Sequence, residues 1–228
     1  MNPTASAPGA LDLPAILSKV DHTLLRPDAV WEEIRALCDD AVRFHCASVC
    51  IPPAYVQRAA EYAAGRVAIC TVIGFPNGYN AAPIKAAEAT HAVLSGAAEI
   101  DMVVNLGWVK DGLFGQVLAE IQAVKAACQG RVLKVIIETC LLTQEEKRRL
   151  CQVVSDAGAD YIKTSTGFST GEATAQDVAL LRQHTAPQVK VKAAGGIATK
   201  EDAEAFLALG ADRLGTSRLV KLAKEAGL

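Results

Sequence analysis

Two lysines and one aspartate are the residues whose types and positions most clearly suggest chemistry. Lys163, Lys192 and Asp101 each lie within a short, mostly apolar run. A buried ion is costly unless it is paired or has a function. A lysine amine becomes a nucleophile when burial or a nearby cation lowers its pKa from about 10.4 to about 7–8. Two facing lysines supply such a cation, and Asp101 could move protons as an imine forms, but the residues alone do not identify the attacking lysine.

Charged residues alternate with apolar ones in two of these apolar runs. Glu99 and Asp101 are both odd-numbered positions of one run, and Lys134 and Glu138 are both even-numbered positions of another. Side chains of one parity lie on one face of a strand, so the pattern predicts a charged face opposite an apolar face that packs under helices. A structural ion-pair network is the alternative for Lys134, Glu99 and Glu138.

The runs that carry these residues belong to a repeated strand and helix pattern. Intervening stretches such as Ala29–Arg43 and Gln144–Ala157, the latter after a predicted N-cap at Thr143, have helical periodicity. The predicted strands are Val20–Leu24, Ser48–Ile51, Ala68–Ile73, Glu99–Val104, Leu133–Glu138, Tyr161–Thr164, Val189–Ala194 and Arg213–Gly215. Eight such units predict an α/β fold, a single (β/α)8 TIM barrel over residues 11–228, preceded by a flexible tail at 1–10.

The barrel prediction gives the three residues a common location. They fall near the carboxyl ends of their strands, where barrel enzymes place catalytic groups. We expect Lys163 and Lys192 on strands that are next but one to each other.

Glycine-rich loops follow the last strands and predict an anion site. Gly195 and Gly196 end the seventh strand, and Gly215 with Ser217 ends the eighth. Exposed backbone N–H groups in such loops can bind an anion, and barrels often bind phosphate after strands seven and eight. Gly167, after the sixth strand, could add a third contact.

Composition narrows the function classes. Lys and Arg number 23 against 25 Asp and Glu, so no overall positive field favours nucleic acid or an anionic membrane. The sequence has neither a secretory signal nor an apolar run of the ~18 residues that a membrane span needs. We expect a soluble cytoplasmic protein whose seven cysteines are reduced core residues. His45, Cys46 and Cys50 lack the second ligand pair of a zinc site, which favours packing over metal binding.

Five motifs and two glycine loops together resemble those of the 2-deoxyribose-5-phosphate aldolase family, and the resemblance runs from Val20 to Ser217. The motifs are Asp21-His-Thr-Leu-Leu25, Gly74-Phe-Pro-Asn-Gly78, Glu99-Ile-Asp-Met-Val-Val-Asn105, Lys134-Val-Ile-Ile-Glu-Thr139 and Lys163-Thr-Ser-Thr-Gly-Phe168, with the Lys192 segment that leads into Gly195.

The resemblance implies a class I lyase that cleaves 2-deoxy-D-ribose 5-phosphate reversibly to D-glyceraldehyde 3-phosphate and acetaldehyde, without a metal or organic cofactor. It implies that Lys163 forms the Schiff base, that Lys192 is the neighbouring cation and that Asp101 is the acid/base group working with water. Its implied partners are the small phosphorylated sugar and small aldehydes. The residues implied at the phosphate are Gly167, Gly195, Gly196, Gly215, Ser217 and Thr166, and those implied to support the pocket are Asp21, Thr23, Cys50 and Lys134.

Two alternatives remain open. Another Schiff-base aldolase or a transaldolase could use the same fold, and a phosphate-binding barrel could have lost catalysis. Some members of the family carry a C-terminal tyrosine that assists proton transfer, whereas this chain has no tyrosine after Tyr161. A homodimer is a reasonable expectation for a barrel enzyme.

Overall fold

Eight parallel strands close into a barrel in the computed structural model, which describes residues 12–228. Each strand pairs with its neighbours along the chain, and β1 pairs with β8. The strands are β1 Val20–Thr23, β2 Ser48–Ile51, β3 Ala68–Ile73, β4 Glu99–Val103, β5 Val132–Ile136, β6 Tyr161–Lys163, β7 Lys190–Ala194 and β8 Arg213–Gly215. The predicted tail at 1–10 lies outside the described residues.

Helices connect the strands and form the outer layer. They are α1 Leu13–Leu17, α2 Trp31–Arg43, α3 Val56–Ala63, α4 Ala82–Leu94, α5 Leu106–Lys110, α6 Phe114–Ala127, α7 Gln144–Asp156, α8 Ala175–His184, α9 Lys200–Ala208 and α10 Arg218–Glu225. Short 3-10 turns occupy Pro53–Tyr55 and Thr139–Leu141. Within the described residues, no helix has the length and apolar character needed to cross a membrane.

The predicted strands agree with the observed ones to within two residues at each end. The largest difference is at β5, which ends at Ile136 and not at Glu138. Glu138 has a positive φ of 52°, and this left-handed conformation turns the chain out of the sheet. The N-cap prediction is confirmed, because Thr143 and Glu146 form a reciprocal capping box at the start of α7.

Apolar and charged side chains alternate along the strands and lie on opposite faces of the sheet, as the sequence pattern predicts. Ile100, Met102 and Val135 pack in the main core between the strands and the helices. Asp101 and Lys134, register partners on β4 and β5, are both buried on the opposite side, inside the barrel. The fold therefore collects charged side chains along its axis.

The cysteines are all unpaired thiols, and one departs from the expected burial. Six of the seven are buried, but Cys140 is exposed in the turn after β5. The turn leaves the barrel beside Glu138, so Cys140 has no core to pack against. Cys46 packs in the main core whereas Cys50 lies inside the barrel with Cys70, so these two residues belong to separate clusters.

Candidate active site

A network of charged groups fills the barrel interior. Its members are Asp21, Glu99, Asp101, Lys134, Lys163, Lys192 and Arg213. Four cations thus meet three carboxylates within the described residues. Proton loss by one lysine would leave three cations against three anions, so the network can accommodate one neutral amine without stranding a buried charge.

Asp101 is the centre of this network because three lysines share its carboxylate. Lys163 and Lys192 both donate to its Oδ2, each at 2.7 Å. Lys134 donates to its Oδ1 at 2.9 Å. All four side chains are at least 96% buried. Lys163 and Lys192 are register partners on adjacent strands, so the expectation that their strands are next but one was wrong.

The three lysines differ in how many carboxylates surround them. Lys134 lies 2.5 Å from Glu99, 2.9 Å from Asp101 and 3.7 Å from Asp21. Lys192 pairs with two carboxylates, Asp21 at 2.5 Å and Asp101 at 2.7 Å. Among residues 12–228, Lys163 pairs with Asp101 alone. Lys163 is therefore the lysine whose positive charge is least stabilised by neighbouring anions.

The pKa values of the network reflect mutual stabilisation of opposite charges. Burial alone would lower the pKa of Lys192, but Asp101 and Asp21 raise it above its usual value. Burial likewise opposes the ionisation of Asp101, yet the three lysines hold its pKa well below the usual range. In the unliganded site these shifts favour the ammonium form of Lys192 and the carboxylate form of Asp101 at neutral pH.

A cavity of about 530 Å³ opens above the network at the carboxyl ends of the strands. Lys163 is the one lysine of the three that lines it. The other predicted residues along its wall are Thr23, Thr166, Gly167, Gly195, Gly196, Gly215 and Ser217. Asp21, Cys50, Asp101, Lys134 and Lys192 lie beneath it, within the barrel. A small carbonyl compound in this cavity would meet the Lys163 amine first.

Backbone N–H groups around the cavity form a candidate anion cradle. Within residues 12–228, the N–H groups of Gly167, Ile197 and Ser217 have no protein acceptor. The Gly195 N–H already donates to the Gly215 carbonyl at 3.2 Å, so Gly195 shapes the loop. The Gly196 N–H donates to a side chain, the Glu172 carboxylate, at 2.7 Å.

Glu138 supports this cradle and has no role in the ion-pair network. Its carboxylate accepts hydrogen bonds from the Thr166 hydroxyl and from the Thr166 N–H, the latter at 3.2 Å. The Thr166 hydroxyl in turn accepts from the Phe168 N–H at 3.0 Å. The expectation of an ion pair for Glu138 is corrected accordingly, because β5 ends before Glu138 and the side chain leaves the barrel axis.

Gly215 has little room for a side chain, because its neighbours lie close, while its backbone conformation does not call for glycine. A Cβ at this position would lie 3.1 Å from Ala194 Cβ and 3.3 Å from Lys192 Cε. Thr23 lies close by, where its hydroxyl donates to the Asp21 carbonyl at 2.8 Å. Both residues thus keep the Asp21 and Lys192 pair in place.

The buried thiols and carboxylates could in principle hold a metal. Cys50, Cys70 and Asp101 place their ligand atoms within 4.8 Å of one another. The Lys134 ammonium lies 3.3 Å from Cys70 Sγ and 2.9 Å from Asp101. Since lysine cations already neutralise Asp101, and burial raises the pKa of the Cys70 thiol well above its usual value, the donor set suits ammonium ions better than a metal.

Sequence reasoning missed several residues that matter here. Arg213 extends the network through Asp21 at 2.6 Å and Glu99 at 3.1 Å. It shares strand parity with Gly215, which could have revealed its inward direction. Glu172 and Arg218 also line the cavity. Glu172 lies in a loop and Arg218 is the first residue of α10, and at neither position does periodicity show the direction of the side chain.

Comparisons with known proteins place this architecture in context. Residues 15–214 match the model of the DeoC/LacD family aldolase. Proteins named deoxyribose-phosphate aldolase from Streptococcus pyogenes and Streptococcus agalactiae are each 56% identical over 215 residues, which is 94% of this chain and 96% of theirs. The tetrameric deoxyribose phosphate aldolase of Aeropyrum pernix has 33% identity and a TM-score of 0.86, with 95% of this chain and 92% of that chain covered.

Proposed function

The chain belongs to the DeoC/LacD family of aldolases, and from that premise we propose a class I deoxyribose-phosphate aldolase in which Lys163 forms the Schiff base. The reaction is the reversible cleavage of 2-deoxy-D-ribose 5-phosphate to D-glyceraldehyde 3-phosphate and acetaldehyde. The observation that carries the residue assignment is the position of Lys163. It reaches the cavity and pairs with a single carboxylate.

The proposed mechanism begins with the neutral Lys163 amine attacking the substrate aldehyde carbon. Loss of water from the carbinolamine gives a protonated imine, which retains the positive charge beside Asp101. The imine then accepts the electron pair of the breaking carbon–carbon bond, while the substrate's C3 hydroxyl becomes a carbonyl and gives its proton to Asp101 through water. D-Glyceraldehyde 3-phosphate leaves, and the enamine takes up a proton before water releases acetaldehyde and restores the Lys163 amine.

Asp101 is the acid/base group in this proposal, and Lys192 is the neighbouring cation. Because the Asp101 pKa is held well below its usual range, Asp101 is a carboxylate that can accept a proton but stores none to donate. Lys192 remains an ammonium, since Asp101 and Asp21 outweigh the effect of burial on its pKa. No tyrosine follows Tyr161 in the sequence. A proton taken up by Asp101 would therefore pass on to the substrate through water or the lysines and not through a tyrosine.

The substrate phosphate would bind at the amide cradle. The free N–H groups of Gly167, Ile197 and Ser217 surround one cavity, and Ser217 is the N-cap of α10, where the helix dipole favours an anion. Arg218, on the cavity wall, has no carboxylate partner among the residues described. It adds a positive charge for the phosphate.

A direct assay tests this function. Purified protein is mixed with 2-deoxy-D-ribose 5-phosphate, and glyceraldehyde 3-phosphate is followed with a coupled dehydrogenase. We expect turnover by the wild type and none by Lys163→Leu, because leucine has similar bulk but no amine. Retained turnover in Lys163→Leu would contradict the mechanism. Substrate binding without turnover by the wild type would support a non-catalytic barrel instead.

We also propose a homodimer, as expected for a closed point-group assembly of a barrel enzyme. The related Aeropyrum pernix protein is tetrameric. The mass of the protein in solution, measured by light scattering, distinguishes a dimer from a monomer or a tetramer.

A further inference from the structure

Glu172 places a carboxylate where the proposed function needs a phosphate. The residue lies between β6 and α8, and its Oε2 accepts a hydrogen bond from the Gly196 N–H at 2.7 Å. Gly196 belongs to the loop after β7, and both residues line the cavity that contains Lys163. The side chain thus occupies part of the candidate anion cradle with an anion of its own.

Local structure does not otherwise account for this carboxylate. The N-cap of α8 is Thr174, whose side chain accepts from the Asp177 N–H, so Glu172 does not cap the helix. Within residues 12–228, Glu172 forms no ion pair with a lysine or arginine. Its one polar contact is therefore to an amide of the cradle.

The two glycines of the loop leave the space that Glu172 fills. A Cβ on Gly195 would lie 2.8 Å from the Cβ, Cγ and Cδ atoms of Glu172. The adjacent backbone is fixed as well, because the Ala173 N–H donates to the Ala194 carbonyl at 3.2 Å. The Ala173 contact thus fixes the backbone from which the Glu172 side chain extends over the loop, and the carboxylate itself and its bond to Gly196 are solvent-exposed.

We propose that Glu172 is a specificity-determining residue that competes with the substrate phosphate for the Gly196 amide. This inference rests on the proposed function. A phosphate that enters the cradle must displace the carboxylate or bind beside it, and either route costs free energy through a lost charge-assisted hydrogen bond or like-charge repulsion. The wild-type chain therefore prefers phosphorylated over unphosphorylated sugars less strongly than its cradle alone would allow.

The substitution Glu172→Gln tests the proposal because glutamine keeps the size and an acceptor oxygen but removes the charge. Inorganic phosphate is titrated into the full-length protein by calorimetry, at low salt and with added sodium chloride. We expect Glu172→Gln to bind phosphate about three- to tenfold more tightly than the wild type, with a smaller difference at high salt. The matched control is Glu61→Gln, which makes the same change in net charge on the exposed surface of α3.

Kinetics supply the second readout. The ratio of kcat/KM for 2-deoxyribose 5-phosphate to kcat/KM for 2-deoxyribose should rise in Glu172→Gln and stay at the wild-type value in Glu61→Gln. A purely structural role for Glu172 would change both sugars alike. Equal phosphate affinity in Glu172→Gln and the wild type, or binding by neither, would overturn the inference. If neither protein cleaves the phosphorylated sugar, the proposed function fails while the titration still decides the role of Glu172.

Discussion

Lys192 and Lys163 are adjacent lysines with different numbers of carboxylate partners, so their replacement should have different consequences. Lys192 balances two carboxylates, Asp21 and Asp101. In Lys192→Met, Asp101 would depend on Lys163 and Lys134 for compensation, which holds the Lys163 amine in its ion pair and away from a carbonyl substrate. We expect kcat to fall at least ~10²-fold in steady-state assays, the range seen for loss of a proton-transfer group.

The same substitution should reduce stability, because two buried carboxylates lose a cation. Removing one partner of a buried ion pair typically costs ~3–5 kcal/mol, which urea unfolding would measure. Lys190→Met is the matched control, since Lys190 is on the same strand but exposed. Wild-type kcat in a folded Lys192→Met variant would contradict the assigned role.

Strand alternation in the sequence predicted which lysines face into the barrel, but it did not show which of them is the proposed nucleophile. Alternating polarity indicates which face of a strand a residue occupies, and it correctly predicted that Asp101 and Lys134 face inward. The number of carboxylates around Lys163 depends on contacts between β4 and β6, which no single strand encodes. The family resemblance implied Lys163 as the nucleophile, and its single ion pair now gives a physical argument for that proposal.

At the scale of elements, the end of β8 must fit closely against β7. The narrow space beside Gly215 predicts that Gly215→Ala pushes the new methyl group against Ala194 and Lys192. We expect a several-fold or larger loss of kcat from displacement of the Lys192 ammonium, together with a destabilisation of ~1–3 kcal/mol from overpacking. Steady-state kinetics and thermal unfolding would measure the two effects.

Gly115→Ala is the control for this prediction. Gly115 lies in α6, and a Cβ there would meet no atom within 4 Å. Alanine is favoured over glycine in a helix by up to ~1 kcal/mol, so this variant should keep its activity and become slightly more stable. Equal kinetics in Gly115→Ala and Gly215→Ala would contradict the packing argument.

Most element boundaries could be predicted because apolar periodicity and glycine turns are local signals. Gly96, Gly158 and Gly210 follow helix ends with positive φ, as the repeated Gly-Ala pattern indicates. The end of β5 could not be predicted, since Glu138 adopts a left-handed conformation that is stabilised by contacts with Thr166 on another loop.

At the scale of the whole molecule, buried thiols should set the alkaline limit of stability. Burial raises the pKa of Cys38 and Cys128 to about 11 and that of Cys46 and Cys151 to about 12. In the unfolded chain these thiols ionise near pH 8.5, roughly their reference value. The folded state therefore binds more protons above that pH, and stability should be lost progressively as pH rises.

Urea unfolding from pH 7 to pH 10 under reducing conditions measures this loss. The double variant Cys46→Ala/Cys151→Ala should be less stable at pH 7, because two buried side chains become smaller. Its free energy of unfolding should nevertheless fall less steeply between about pH 8.5 and pH 10 than that of the wild type. Parallel slopes in the two proteins would show that other groups control the alkaline limit.

The most direct test of the central claim is to trap the imine. The protein is incubated with acetaldehyde, reduced with sodium borohydride and digested, and the modified peptide is sequenced by mass spectrometry. We predict a stable ethyl group on the Lys163 amine, and no such labelling without borohydride. Labelling at Lys192 or Lys134 in place of Lys163 would contradict the assignment of the nucleophile.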